Sequence, residues 1–262
     1  MKKVMLLGLC AVMAMAAAGC GSANQETQDT GKVLKVATDA DLRPFNFCPG
    51  NSKAYSGFDI DLMNAIAAKM GYDKVEYVNV DHKDILVGLN QRKYDAAIAG
   101  ITVTRDRKRM VDFSDSYFDG ALKVIVPNSA KGGEGAGYMT GKKVAGTEGG
   151  IGLEVAKNVN AAEVIPAQNL EDALDMVAAG KADCAVADGK TANFFLKNGY
   201  GTRLKFAGHE ELNNSNMGIA VGKGNKVLLD KINSALHEVR ESGEYQEVYT
   251  SYFGSQQKLN QA

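Results

Sequence analysis

The sequence predicts an α/β protein of two lobes, each a mainly parallel sheet flanked by helices, with a cleft between them. Three observations carry this. Strand-type and helix-type segments alternate along the chain, in two successive runs of similar size. Polar and glycine-rich residues gather where strands hand over to helices, the place where sites form in open parallel sheets. Residues 1–31 read as something other than fold, which leaves about 230 of the 262 residues, enough for one large domain or two small ones.

The N-terminus reads as a targeting segment. Lys2 and Lys3 form a positive region, and Val4 to Ala18 is an apolar run too short to span a membrane. It closes with Ala17-Ala18-Gly19-Cys20, which resembles a lipobox with alanine where leucine is commoner. Residues 1–19 are therefore expected to be removed as a lipoprotein signal peptide and Cys20 to be lipidated; an ordinary signal peptide cut nearby is the alternative. Residues 20–31 follow as the lipidated cysteine and a polar tether, whose eleven or so residues reach roughly 20 Å on average. With no second long apolar run, only the anchor is expected to touch a membrane.

The first αβ run opens with a strand at Val33–Thr38. Asp59 is expected to cap a helix whose Leu62, Ile66 and Met70 recur at helical spacing before Gly71 ends it. Val75–Val80 reads as a strand, Asp84–Gln91 as a helix with Ile85 and Leu89 on one face, and Tyr94–Ile101 as a strand. A polar turn then leads into a helix from near Thr104. The second run begins near Leu122, with strands expected at Val124–Pro127, Lys143–Ala145, Glu163–Pro166, Ala182–Ala187 and Leu204–Ala207. Its helices are Gly152–Asn158, Leu170–Ala179 capped by Asn169, and Thr191–Asn198, and Gly132–Gly137 reads as a loop. Met217–Val221 is a further strand, and helices at about Asn225–Ser242 and Glu244–Tyr252 close the chain. The lobes so predicted are 32–117 with 217–262, and 121–213, hinged at 117–121 and 213–217.

The stretch Tyr94–Tyr117 is the most informative. Arg105, Arg107, Lys108 and Arg109 crowd the first turns of its helix, where cations oppose the macrodipole. They make chemical sense if an anion sits there, held by free backbone N–H groups and a guanidinium fork. For Arg105, Lys108 and Arg109 a solvated basic face is the simpler reading. Other strand ends carry Thr38-Asp39, Gly100-Ile101-Thr102, Ala187-Asp188 and the turn Thr147-Glu148-Gly149-Gly150-Ile151-Gly152. The turn does not fit a dinucleotide fingerprint, and an aspartate after a strand is often only a helix cap. Together these groups offer a cation with N–H donors and an opposed carboxylate, the complement of a zwitterion.

Lys and Arg number 30 against 31 Asp and Glu, a balance that argues against nucleic acid. Of four cysteines, Cys10 leaves with the signal segment and Cys20 is the lipid site. Cys48 and Cys184 lack metal-binding spacing and are expected to be unpaired thiols. No cofactor or metal is implied.

The segments Gly57-Phe58-Asp59-Ile60-Asp61-Leu62, Tyr94–Tyr117 and Gly243-Glu244-Tyr245 with Tyr252-Phe253-Gly254 resemble the polar amino-acid-binding proteins of bacterial ABC importers. The resemblance runs from about Val33 to Gly254 and is nearest to glutamine and histidine binders. It implies the type II periplasmic-binding fold, a monomer, a free amino acid as ligand and membrane permease subunits as partners. It also implies roles. Arg107 would grip the ligand α-carboxylate with the Ile151 N–H. Thr102 (hydroxyl and amide) and Gly100 (carbonyl) would bond the ligand's backbone groups, Asp188 would receive the α-ammonium, and Asp39 would lie near the ligand side chain. Leu42 and His82 stand where aromatic rings often clamp that side chain, and Thr147 and Ala187 where the glutamine binder has larger polar groups. Asp39 and Glu148 add negative charge, which favours a neutral polar or basic side chain. The same architecture resembles exported cyclohexadienyl dehydratases. That enzymatic alternative would need a general acid or base, for which His82 and Glu148 are the candidates, with nothing in the sequence to orient them.

Overall fold

The structure is a computed structural model that describes residues 31–254 apart from 51 and 53. The signal segment, Cys20 and the tether up to residue 30 lie outside the described residues. The chain is two-lobed α/β, each half built on a five-stranded sheet.

In chain order the first half contains β1 (Val33–Thr38), a small hairpin of β2 (Asp41–Leu42) and β3 (Asn46–Phe47), α1 (Phe58–Lys69), β4 (Lys74–Asn79), α2 (Ile85–Asn90), β5 (Ala96–Ala97), α3 (Arg105–Met110) and β6 (Val111–Phe118). The second half contains β7 (Leu122–Pro127), α4 (Gly135–Met139), β8 (Lys143–Thr147), α5 (Ile151–Asn158), β9 (Glu163–Ala167), α6 (Leu170–Ala178), β10 (Cys184–Asp188), α7 (Gly189–Lys197) and β11 (Leu204–Phe206). The chain then returns with β12 (Met217–Gly222), α8 (Lys226–Glu241) and α9 (Glu244–Phe253).

The sheets run β4-β1-β5-β12-β6 and β11-β7-β10-β8-β9. Both are mixed rather than mainly parallel. β1 pairs parallel with β4 and β5, but β12 is antiparallel to both β5 and β6. β8 likewise pairs parallel with β9 and β10, while β7 is antiparallel to β10 and β11. The cause lies in the crossings. β7 and β12, the strands that carry the chain into a half after a passage, run antiparallel to both of their neighbours. β6, eight residues long, escaped the sequence reading because its burial does not alternate cleanly.

Helices cover both faces of each sheet, so the strands are apolar on both sides, as doubly covered strands are. On β1, Leu34 and Val36 face the cluster containing Phe58, Leu62 and Ile66 of α1 and Ile232 and Leu236 of α8. Ala37 faces the opposite cluster, with Ile85 and Leu89 of α2. β7 divides in the same way, with Ile125 on one side and Val124 and Val126 on the other.

Three local expectations change. Asp59 does not cap α1. Gly57 holds the cap position, and the first N–H groups, those of Phe58 and Asp59, donate to the carbonyls of Pro44 and Phe45. Asp59 is instead buried in the first turn. The strand expected over Tyr94–Ile101 is regular only at Ala96–Ala97, because Gly100 turns to φ 59 and its N–H leaves the ladder for Asp59. The stretch Gly132–Gly137 is not wholly loop, since α4 starts at Gly135. The cap read at Asn169 is present, and Thr104 and Asn225, where helices were expected to begin, also cap theirs, each side chain accepting from an N–H three residues on.

Candidate functional site

A cavity of about 390 Å³ lies at the carboxyl ends of the parallel strands. All ten candidate residues line it. Asp39 follows β1, Leu42 sits on β2, His82 follows β4, Gly100 and Thr102 follow β5, and Arg107 projects from α3. From the second half come Thr147 at the end of β8, Ile151 at the start of α5, and Ala187 and Asp188 at the end of β10.

Arg107 is 7% exposed. Its Nη1 donates to the Thr102 carbonyl and its Nη2 to the Gly149 carbonyl, both at 2.8 Å. Glu154 stands 3.9 Å from Nη2. Burial pulls the Arg107 pKa below its ordinary value and Glu154 opposes the change; a guanidinium stays charged regardless. The side chain thus straddles the seam between the halves. Gly149 can approach because it is glycine with φ 77, and a Cβ there would come within 2.8 Å of the Lys83 Cα. Next to it, Lys83 Nζ bonds Glu148 Oε2 at 3.0 Å, a second link across the seam. Ile151 is the first residue of α5, so its N–H has no acceptor within the helix.

Asp188 is also 7% exposed. It caps α7, its Oδ1 accepting from the Thr191 N–H and hydroxyl at 2.9 Å each. Its Oδ2 accepts from the Ser215 hydroxyl at 2.6 Å. Ser215 lies on the return passage, where Ala121 bridges Asn214 and the Ser215 N–H donates to Gly120. The cap and the cavity lining are therefore the same carboxylate, and nothing in the sequence signalled Ser215.

Asp39 is 8% exposed and its Oδ2 meets His82 Nδ1 at 2.7 Å. This corrects the expectation that nothing orients His82. Asp39 Oδ1 is buried without a hydrogen-bond donor. Asp41, Asp81 and Glu148 join Asp39 on the cavity wall. Burial, and then the charges of Asp39, Asp172 and Asp81, push the Asp41 carboxyl up. Carboxylates thus outnumber the cations on the lining, although Asp39 meets His82 and Glu148 meets Lys83, and Leu42 adds an apolar surface. Asp41 on β2, Asp81 and Gln168 in loops, and Asn169, read from the sequence only as the α6 cap, line the cavity without having been expected to.

Two α/β halves enclosing a cavity with a buried cation from one half and a buried carboxylate from the other define a cleft-type solute-binding protein. The chain belongs to the bacterial extracellular solute-binding proteins, family 3, whose family model matches residues 34–255. A probable histidine-binding protein of Neisseria gonorrhoeae is 32% identical over 264 residues, covering 98% of this chain and 97% of the relative. The arginine-binding extracellular protein ArtP of Bacillus subtilis (strain 168) is 29% identical over 259 residues, covering 97% and 98%. A solved structure of an ancestral arginine-binding protein bound to arginine is similar with a TM-score of 0.77 and 36% identity, over 85% of this chain and 98% of that one. Among the described residues no helix is long and apolar enough to cross a membrane.

Proposed function

We propose that this chain is the extracytoplasmic subunit of an ABC importer that captures a free L-amino acid in the cavity and presents it to a membrane permease. The observation that carries the reading is the pair Arg107 and Asp188, buried opposite charges from different halves that line one cavity. Arg107 and the Ile151 N–H take the α-carboxylate, Gly100 and Thr102 the ligand's backbone groups, and Asp188 the α-ammonium. Asp39, Leu42, His82, Thr147 and Ala187 surround the side chain. Asp39, Asp41, Asp81 and Glu148 line the cavity with Lys83 beside Glu148, and the excess of carboxylates favours a neutral polar or basic side chain over an acidic one. The chain is a binding protein rather than an enzyme. The oriented His82 alone does not favour a lyase, because the matched relatives are named as binding proteins.

The lobes are 32–117 with 217–262, and 121–213. The hinge is 117–121 and 213–217, and the body is a monomer. Closure removes water from the charge pairs and so strengthens them. Each charge-assisted hydrogen bond contributes roughly 1.5–3 kcal/mol. Several of them, less the cost of ordering, give about −8 kcal/mol, a micromolar affinity. Cys20, lipidated and exposed by removal of 1–19, ties the body to the outer face of the cell membrane; labelled fatty acid is expected to enter the wild-type chain and not a Cys20→Ser chain.

The test is a thermal-shift screen of the mature protein against the twenty amino acids and cystine, since a ligand of the folded state raises the apparent melting point by mass action. Calorimetry then follows on Arg107→Ala. That variant is expected to fold and to bind none of the hits, and unchanged affinity would refute the assignment.

A further inference from the structure

We infer that Asp59, a buried carboxylate behind the cavity wall, is a positioning residue for amino-acid binding that holds Gly100 and the Leu42 hairpin in place. The inference rests on the cavity being the amino-acid site. Asp59 is fully buried in the first turn of α1, and it does not line the cavity. The helix has no need of it as a cap, because loop carbonyls already take the first N–H groups. A buried carboxylate is costly unless it is bonded, and an apolar side chain in the same space would often stabilise the fold more. Its retention calls for a different account.

That account lies in what the carboxylate touches. Asp59 Oδ2 accepts from the Gly100 N–H at 3.0 Å and from Asn46 Nδ2 at 2.9 Å. Gly100 lies on the cavity wall with φ 59, in the stretch where β5 has lost its ladder. Asn46 belongs to β3 and pairs directly with Leu42 of β2. Leu42 in turn fills the space in front of Gly100, since a Cβ there would lie 2.5 Å from Leu42 Cδ2. One oxygen therefore fixes two touching pieces of wall, one from each side. The other oxygen, Oδ1, takes no part in the Gly100 and Asn46 bonds and is buried beside the equally buried Tyr117 hydroxyl.

The experiment compares Asp59→Ala, Asp59→Asn and Arg107→Ala in the mature protein. Affinities for L-arginine, L-histidine and L-glutamine are measured by calorimetry, and hydrogen exchange at the Gly100 amide is measured without any amino acid present. Asp59→Asn keeps an oxygen for both donors, so it is expected to bind within about three-fold of wild type. Asp59→Ala is expected to bind at least about ten-fold more weakly while folded, the loss of one wall-fixing bond, and to exchange the Gly100 amide at least as much faster. An alanine variant that is folded, binds like wild type and keeps Gly100 protected would overturn the inference, as would an asparagine variant that loses as much as alanine. Should Asp59→Ala not fold, Asn46→Ala removes the second donor. A loss of affinity of about five-fold or more then supports the bridge, and unchanged affinity overturns it. If Arg107→Ala also binds normally, the reading of the cavity fails and this inference with it. If Arg107→Ala loses binding while Asp59→Ala keeps it, only the role of Asp59 is lost.

Discussion

Arg107 has three occupations at once. It holds the carbonyl of Thr102, reaches across the seam to Gly149, and has further N–H groups on a side chain that lines the cavity. A lysine could not hold two carbonyls in a planar fork, so that exchange is not conservative here. Asp188 combines roles in the same way, its two oxygens divided between the start of α7 and Ser215. Cap and site readings are rivals on the sequence, yet the carboxylate that caps α7 also lines the cavity. Asp59 shows the reverse. Its place in Gly57-Phe58-Asp59 was visible, but the partners that explain it, Asn46 and Gly100, lie 13 and 41 residues away. Its titration gives a prediction. Burial pushes the Asp59 carboxyl from 3.8 up to about 7, so between those values the folded state keeps a proton that the unfolded state has released. The stability this contributes is full below about pH 4 and is lost as pH rises through about 7, a span of ~4 kcal/mol. Denaturant melts from pH 4 to 8 are expected to show wild type losing stability relative to Asp59→Asn, whose side chain does not titrate. Parallel curves for the two proteins would contradict this.

Among the elements, α1 and α9 depend on each other through one ring. Phe58 packs within 6.5 Å, centroid to centroid, of Phe45, Tyr117, Phe118, Tyr245, Tyr249, Tyr252 and Phe253. Four of those seven belong to α9, so the last helix is held to the first half largely by aromatic contact. Phe58→Ala removes the hub and leaves a cavity, at a cost of about 3–5 kcal/mol. Its melting point is expected to fall by many degrees and amides of α9 to exchange faster than those of α7; a variant that loses stability uniformly would speak against the hub. The helices themselves were legible, because caps such as Asn169 and Asn225 and a helical apolar period are local signals. β6 and the shortened β5 were not. Their limits are set by partners distant in sequence: β12 pairs with β6, and Asp59 takes the N–H that would have extended β5.

At the scale of the whole molecule, Arg107 to Gly149 and Lys83 to Glu148 join the two halves along a seam. The first joins a buried guanidinium to an exposed turn, whereas Lys83 to Glu148 joins side chains about half exposed, 45% and 51%. An exposed pair of this kind acts weakly and is screened by salt. Removing Lys83 or Glu148 is expected to speed amino-acid release by less than about five-fold, with no further loss in the double variant and no difference left at high salt. A larger, salt-independent effect in stopped-flow release would show the pair to be more than a fastening at the rim. The seam could not be seen in the sequence, because Lys83 and Glu148 stand 65 residues apart with no pattern in common. The general location of the cavity could, because it follows from where strands end.

The position of β12 has a consequence for how the polypeptide comes into being. All five strands of the second sheet are contiguous in the chain, β7 to β11, whereas β12 wedges between β5 and β6 in the first. During synthesis or export the later-made half can therefore assemble its sheet first. The earlier-made one waits, with β6 parted from β5, until β12 arrives to close it.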